Sequence, residues 1–348
     1  MISWTYQNLL RPAFFAMDAE KAHVLAMKRL SFIARHRFLL LMTRLACGAP
    51  RLRQNVFGLE FENPVGLAAG FDKNAEALPV WEALGFGFIE IGTVTAVAQP
   101  GNPQPRLFRF PRQKALLNRM GFNNDGADAI AERLKMWKKR RLWPRVPVGI
   151  NIGKSKVTDL EDAPADYAYS FSRLREYGDY FVVNISSPNT PGLRSLQEAG
   201  ALERLLLALD EENQPGPHRK PLLVKLSPDL LFEDIADLLD TSARRGVDGF
   251  VISNTTTDLS PIADHPAACE GGGLSGAPLR KASNSLIAYV SRKSGLPIIG
   301  VGGVFDAETA MEKIAAGASL VQTYTGFVYN GPTMVAQIVR GLIKATAQ

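Results

Sequence analysis

From residue 54 onward the chain alternates between short, β-branched apolar runs and longer stretches whose apolar residues recur every three or four positions. The short runs lie at 65–68, 88–92, 148–152, 180–185, 222–226, 249–253, 298–301 and 319–323. They are apolar at most positions, not alternately apolar and polar, and so read as strands buried on both faces. A helical pattern follows each, at 75–84, 125–139, 163–177, 198–213, 231–245, 280–293, 306–316 and 333–346. Eight β-then-α units in series predict an α/β fold, a (β/α)8 TIM barrel. A doubly wound sheet is the alternative, but the early GxGxxG turn of that fold is missing. Ahead of the first strand, 55–59 and 61–63 predict a hairpin closing the barrel floor.

The first 45 residues follow another pattern. Two helices are predicted at 9–17 and 19–33, with Asp18 as N-cap between them and Pro12 near the start of the first. In the second, Ala22, Leu25, Ala26, Leu30 and Ile33 form one stripe. That stripe either packs on the barrel or faces lipid. The chain therefore divides into a small N-terminal two-helix domain, 1–45, and a barrel domain, 46–348.

Charge sharpens this division. The 348 residues carry a net charge of +6, and the excess is concentrated at the start. Arg11, Lys21, Lys28, Arg29, Arg35, Arg37, Arg44, Arg51 and Arg53 face only Asp18 and Glu20 within residues 1–54. Nucleic acid is the weaker reading of this surface. An anionic membrane surface fits better, because bulky apolar residues are interleaved with the charges. The apolar run 38–42 is too short to span a bilayer, and no secretory signal pattern is evident. Composition adds that the chain is globular and loop-rich, with 46% hydrophobic residues, 30 glycines and 22 prolines. Cys47 and Cys269 are isolated, which points to a reducing compartment. His23, His36, His218 and His265 lack HxH or HExxH spacing, so no metal site is expected. A GxSxG elbow is also lacking.

In a barrel the chemistry belongs after the strands. The polar and glycine clusters fall there: 69–73 after the first strand, Thr93 and 118–124 after the second, and 153–155 after the third. After the fourth strand comes VVNISSPNTPGLRSL, 182–196, whose prolines fix φ and remove N–H donors while Gly192 supplies a joint. Glycine turns at Gly276, 300–303 and 324–326 converge near the last two strands, the usual phosphate location in barrels. Lys225, in an apolar strand, needs an anion. Asp229 is one candidate, and a cofactor ring that becomes negative on reduction is the other. Lys73 with Asn118, Asn184, Asn189 and Asn254 suits a carboxylate and an amide-rich heterocycle.

These residues carry a resemblance that spans nearly all of 18–345. DAEKAH, NPVGLAAGFDKNAE, GFGFIEIGTVT, PGNPQPRLFRFP, NRMGFNNDG, NIGKS, VNISSPNTPGLR, SNTTTD, GGLSGAPL, PIIGVGGV and GASLVQTYTGFVY closely resemble the class 2, quinone-linked dihydroorotate dehydrogenases. The resemblance implies oxidation of (S)-dihydroorotate to orotate in pyrimidine synthesis, with one FMN per chain and ubiquinone or menaquinone as electron acceptor. It implies Ser187 as the base for the C5 proton while flavin N5 takes the C6 hydride. A lone serine hydroxyl is a poor base, so the chemistry itself calls for a relay, with Thr190 and a water beneath Phe122 as the hypothesis for it. The implied flavin site is Ala69, Gly70, Thr93, Asn151, Asn184, Lys225, Ser253, Gly276, Gly303, Tyr324 and Thr325. Implied substrate contacts are Lys73, Asn118, Arg119, Met120, Gly121, Phe122, Asn184, Asn189, Asn254 and Thr255. The N-terminal helices would form a quinone tunnel with His23, Arg109 and Tyr324 near its inner end. A monomer held peripherally on the cytoplasmic side of the cell inner membrane, with no nucleic-acid partner, completes the expectation. A class 1-like enzyme using fumarate or NAD, a flavin-free phosphate-binding barrel and a membrane-surface module are the alternatives.

Overall fold

A computed structural model describes residues 2–213 and 219–346. Eight parallel strands close into a barrel in chain order: Val65–Leu67, Phe88–Val94, Val148–Ile152, Tyr180–Asn184, Leu222–Leu226, Gly249–Ile252, Ile298–Val301 and Leu320–Thr323. The eighth strand returns to the first, pairing Val321 with Val65. Outward residues such as Ile89, Ile150, Val183 and Val224 pack under the surrounding helices. Inward residues Phe88, Tyr180, Val182, Leu223, Val251, Ile299 and Leu320 fill the lower barrel. Every barrel strand is buried along its length because both faces are covered.

The floor hairpin differs in register from the expectation. Its strands are Gln54–Val56 and Leu59–Phe61, with the turn at Phe57 and Gly58, both at positive φ. A two-residue hairpin turn requires that geometry, and glycine adopts it freely. Phe61 then meets Phe88 edge-on at 5.2 Å, which plugs the barrel from below.

The N-terminal unit holds more helix than the sequence pattern suggested. Ile2–Thr5 and Arg11–Phe15 flank a π-helical segment, Tyr6–Leu10. Asp18 caps Ala19–Ala34 by accepting from Lys21 N–H at 2.9 Å, as its residue type implied. A further helix, Arg37–Cys47, was not expected. It turns Phe38, Leu41, Met42 and Leu45 outward at i, i+3, i+4 and i+7, with Leu45 73% exposed. The stripe on the second helix faces inward instead, and Ala22, Ala26, Leu30 and Ile33 line a cavity against the barrel. A second departure lies in the insertion after the second barrel strand. Leu107–Phe110 and Ala115–Asn118 form an antiparallel hairpin, and Gly273–Gly276 adds a third strand to it from the sixth loop.

Candidate active site

The barrel interior changes character one layer above its apolar floor. The period-2 alternation that sends Phe88, Tyr180, Leu223 and Leu320 inward also sends in Glu90, Asn184, Lys225 and Gln322. These groups are linked to one another. Glu90, fully buried, accepts from Asn151 Nδ2 at 2.8 Å and from Gln322 Nε2 at 2.6 Å, and lies 3.7 Å from Lys225 Nζ. Glu90 is thus the anion that Lys225 requires. Asp229 instead pairs with Arg194 at 3.0 Å and accepts from Thr256 and Thr257. Asn184 Nδ2 donates to Thr93 Oγ1 at 2.8 Å and to Asn151 Oδ1 at 3.1 Å, and its own Oδ1 accepts from Asn254 Nδ2 at 3.2 Å. Such a network fixes rotamers, although Gln322 Oε1 is left buried without a partner.

Above this layer the loops close a pocket enclosing about 1090 Å³, its open mouth included. Asn189 Nδ2 donates to Asn118 Oδ1 at 3.0 Å, joining the loop after the fourth strand to the insertion hairpin. Ser187 is buried and its Oγ accepts from the Asn189 N–H at 3.2 Å. Thr190 Oγ1, also buried, has no protein partner. Lys73 projects from the loop after the first strand. Burial pulls its ammonium down to about 8, with Glu20 opposing that shift and Arg106 adding to it. Asp72 pins this loop by accepting from Glu76 and Ala77 N–H and from Trp81 Nε1.

The pocket's other end is made of backbone. A Cβ at Gly276 would stand 2.2 Å from Lys114 O, and one at Gly303 would stand 2.6 Å from Arg280 Cβ. Both positions must therefore be bare, which leaves their N–H groups approachable. The short helix Thr325–Asn330 begins here, and Thr325 Oγ1 lies 2.8 Å from Ser275 Oγ. Bare N–H groups, a helix start and hydroxyls fit a phosphate, and the polar layer with Lys225 fits a flat, amide-edged ring that acquires negative charge. This donor set fits a flavin mononucleotide.

A second cavity, about 1750 Å³ with its mouth, lies between the N-terminal helices and the barrel. Phe14, Phe15, Leu30, Leu39, Phe71 and Phe327 make it apolar, and Tyr6, His23, Arg29, Thr43, Arg109 and Tyr324 are the polar residues in its lining. Burial, and next to it the charge of Lys73, pushes the His23 imidazole down to about 3, so it is neutral across the physiological range. Arg109 donates to Phe14 O at 2.7 Å and to Met17 O, and lies 4.8 Å over the Phe15 ring. Leu107, Leu116 and Tyr324 line both cavities and form the wall between them.

Of the residues singled out in the sequence, the first pocket gathers Ala69, Gly70, Lys73, Thr93, Asn118, Met120, Gly121, Phe122, Asn184, Ser187, Asn189, Lys225, Ser253, Asn254, Thr255, Gly276, Gly303, Tyr324 and Thr325. Asn151 stands one layer behind it, bonded to Thr93. Arg119 turns away, its guanidinium meeting Glu270 and Pro105 O. Sequence reasoning missed Glu90, Asp72 and the pair of Arg106 with Glu20, at 2.7 Å. A lone carboxylate in the run FIEIG was the available signal for the first. Among the described residues no group of three or more His, Cys, Asp or Glu is placed to hold a metal; His218 lies outside them.

Comparison with known proteins agrees with this geometry. The family model described as dihydroorotate dehydrogenase matches residues 51–345. The chain is 52% identical to the dihydroorotate dehydrogenase (quinone) of Gloeobacter violaceus, over 96% of this chain and 93% of that protein. It is 48% identical to the protein of the same name from Synechococcus sp. (strain JA-2-3B'a(2-13)), over 98% and 94%. A crystal structure of DHODH in complex with ferulenol from Eimeria tenella superposes with a TM-score of 0.84 at 36% identity, covering 93% of this chain and 91% of that one. The ligand-free structure from the same organism gives 0.86, covering 95% and 96%.

Proposed function

The chain belongs to the dihydroorotate dehydrogenase family, and on that premise we propose that it oxidises (S)-dihydroorotate to orotate with bound FMN and delivers the electrons to a membrane quinone. The observation that carries this reading is the pair of cavities sharing one thin wall, polar on one side and apolar on the other. When bound, FMN supplies the acceptor for a hydride and a route for electrons onward to the quinone.

The chain's own residues do the rest. Lys73 and the amides of Asn118, Asn189 and Asn254 offer a cation for the substrate carboxylate and donors and acceptors for its ring amides. Ser187 is the base for the C5 proton. A serine hydroxyl is a weak base, so the proton has to move on. Thr190, whose buried hydroxyl has no protein partner three residues away, supports a relay through its Oγ1. Lys225, held by Glu90, stabilises the negative charge that reduction brings.

On the other side of the wall, His23 and Arg109 are placed for the polar head of the quinone and the apolar lining for its tail. Val24, Phe32, Phe38, Leu41 and Leu45 are exposed on the two long N-terminal helices. That surface, with its arginines and lysines, supports peripheral attachment to an anionic bilayer. Among the described residues no helix is long and apolar enough to cross a membrane. The reading is tested by denaturing the purified chain: it should release about one FMN per chain, and release of no flavin would refute it.

A further inference from the structure

A buried ammonium without a carboxylate partner lies beneath the glycine end of the first pocket. Lys313, in helix Ala307–Ala315, has 0% exposure. Its Nζ donates to Ser283 Oγ at 2.8 Å and to Asn284 Oδ1 at 2.9 Å, both neutral. Ser283 Oγ in turn donates to Val301 O at 2.5 Å, so a single hydroxyl separates the ammonium from the end of the seventh strand. The lysine stem runs against the same strand, since a Cβ at Gly300 would stand 3.2 Å from Lys313 Cδ. The neighbouring Glu312 is engaged elsewhere, by Arg280 Nε at 3.4 Å and Asn284 Nδ2 at 3.3 Å. Burial pulls the Lys313 ammonium down to about 7, with Glu312 opposing that shift and Arg280 adding to it.

A cation buried on neutral partners is costly unless an anion compensates it. The far side of the turn after this strand indicates which anion. Gly276, Gly302, Gly303 and Thr325 offer backbone and hydroxyl groups but no cation. The two lysines in the pocket wall, Lys73 and Lys225, belong to the loop after the first strand and to the fifth strand. A dianionic phosphate seated among the glycines would therefore meet dipoles alone in the wall. We propose that Lys313 supplies the missing positive charge from beneath, holding the phosphate of the bound mononucleotide by its field without touching it. This rests on the flavin reading above. The charge acts across a water-excluded layer, where screening by solvent is weak. Ser283 and Asn284 orient the ammonium, and Ser283 ties it to the peptide that follows Val301.

The alternative is a plain structural tie between two helices, and the two differ in what they demand of the ligand. A structural tie serves FMN and riboflavin equally, whereas a phosphate charge serves FMN alone. The experiment strips flavin from the full chain and titrates FMN and riboflavin separately into the unaltered protein and into Lys313→Gln and Lys313→Met. Two replacements of different shape guard against one failing to fold, and the melting temperature of each stripped protein is measured alongside. The expected result is an FMN Kd raised about tenfold in both variants, with the riboflavin Kd within about twofold of its starting value. An unchanged ratio of the two Kd values, whether both ligands weaken together or neither does, overturns the proposal. If the unaltered chain binds neither flavin, the flavin reading fails and takes this inference with it. An unchanged ratio in a chain that does bind FMN overturns the Lys313 role alone.

Discussion

The two cavities are built by opposite means although they share Leu107, Leu116 and Tyr324. The barrel pocket is rigid because its polar groups hold one another: Glu90, Asn151, Asn184, Gln322 and Lys225 form one network below it. The N-terminal cavity is lined by apolar side chains on helices whose other faces carry exposed Phe32, Phe38 and Leu45. A site that must fix a small polar ring and move one proton needs preorganised donors. A site that must admit a long apolar molecule from a membrane needs room and few hydrogen bonds. On the proposed function, the materials of the two walls suit two separate half-reactions.

If the division is real, changes on one side should leave the other untouched. The largest effect is expected from Ser187→Ala, which should slow bleaching of the flavin by dihydroorotate about 10²–10⁴-fold. Stopped-flow reoxidation of the chemically reduced variant by quinone should be unchanged. Next comes the more buried of the ion pairs that bridge the two regions, Arg106 with Glu20; Arg44 with Glu82 is the more exposed one. Arg106→Ala strands Glu20 of the second N-terminal helix in a largely buried position and should cost about 3 kcal/mol. Arg106 also holds Pro100 O and Asn102 O, and Asn102 in turn reaches Asn189 O at 3.2 Å. Uniquely among these variants it should disturb both half-reactions, together with the melting temperature.

Filling the apolar cavity with Ala26→Trp should raise the quinone KM by about tenfold or more, while the rate of bleaching stays the same. Proton linkage gives a smaller, graded effect on the polar side. Lys73 titrates at about 8, so it is charged below that pH and neutral above it. Binding of the orotate anion should therefore weaken as pH rises through about 8, by at most tenfold per unit, and isothermal titration from pH 7 to 9 measures it. The smallest change expected is in vesicle binding: Phe38→Glu with Leu45→Glu should reduce co-sedimentation with anionic liposomes several-fold and leave flavin reduction intact.

The barrel strands were legible because strands buried on both faces are apolar at most positions, and the helices between them kept their 3.6-residue period. Helix Arg37–Cys47 escaped because its unbroken apolar run FLLLM, 38–42, covers every face of one turn and so hides the period within it. The pairing of Gly273–Gly276 with Ala115–Asn118 joins segments about 150 residues apart, and local pattern carries no trace of that contact. In the site, residues delivered by strand ends were readable, since chain position decides where they unload. Arg119 shows the limit: it adjoins Asn118 in sequence, yet its side chain leaves the pocket for Glu270. Glu90 was hidden for the opposite reason, because one charged residue inside an apolar strand declares its burial but not its partners.

The most direct test of the divided site is anaerobic and followed by eye of the spectrophotometer at the flavin band. Dihydroorotate should bleach the purified protein, and a short-chain ubiquinone or menaquinone analogue added afterwards should restore the colour while fumarate and NAD leave it bleached. Failure to bleach, or recovery with fumarate or NAD but not with quinone, would contradict the account.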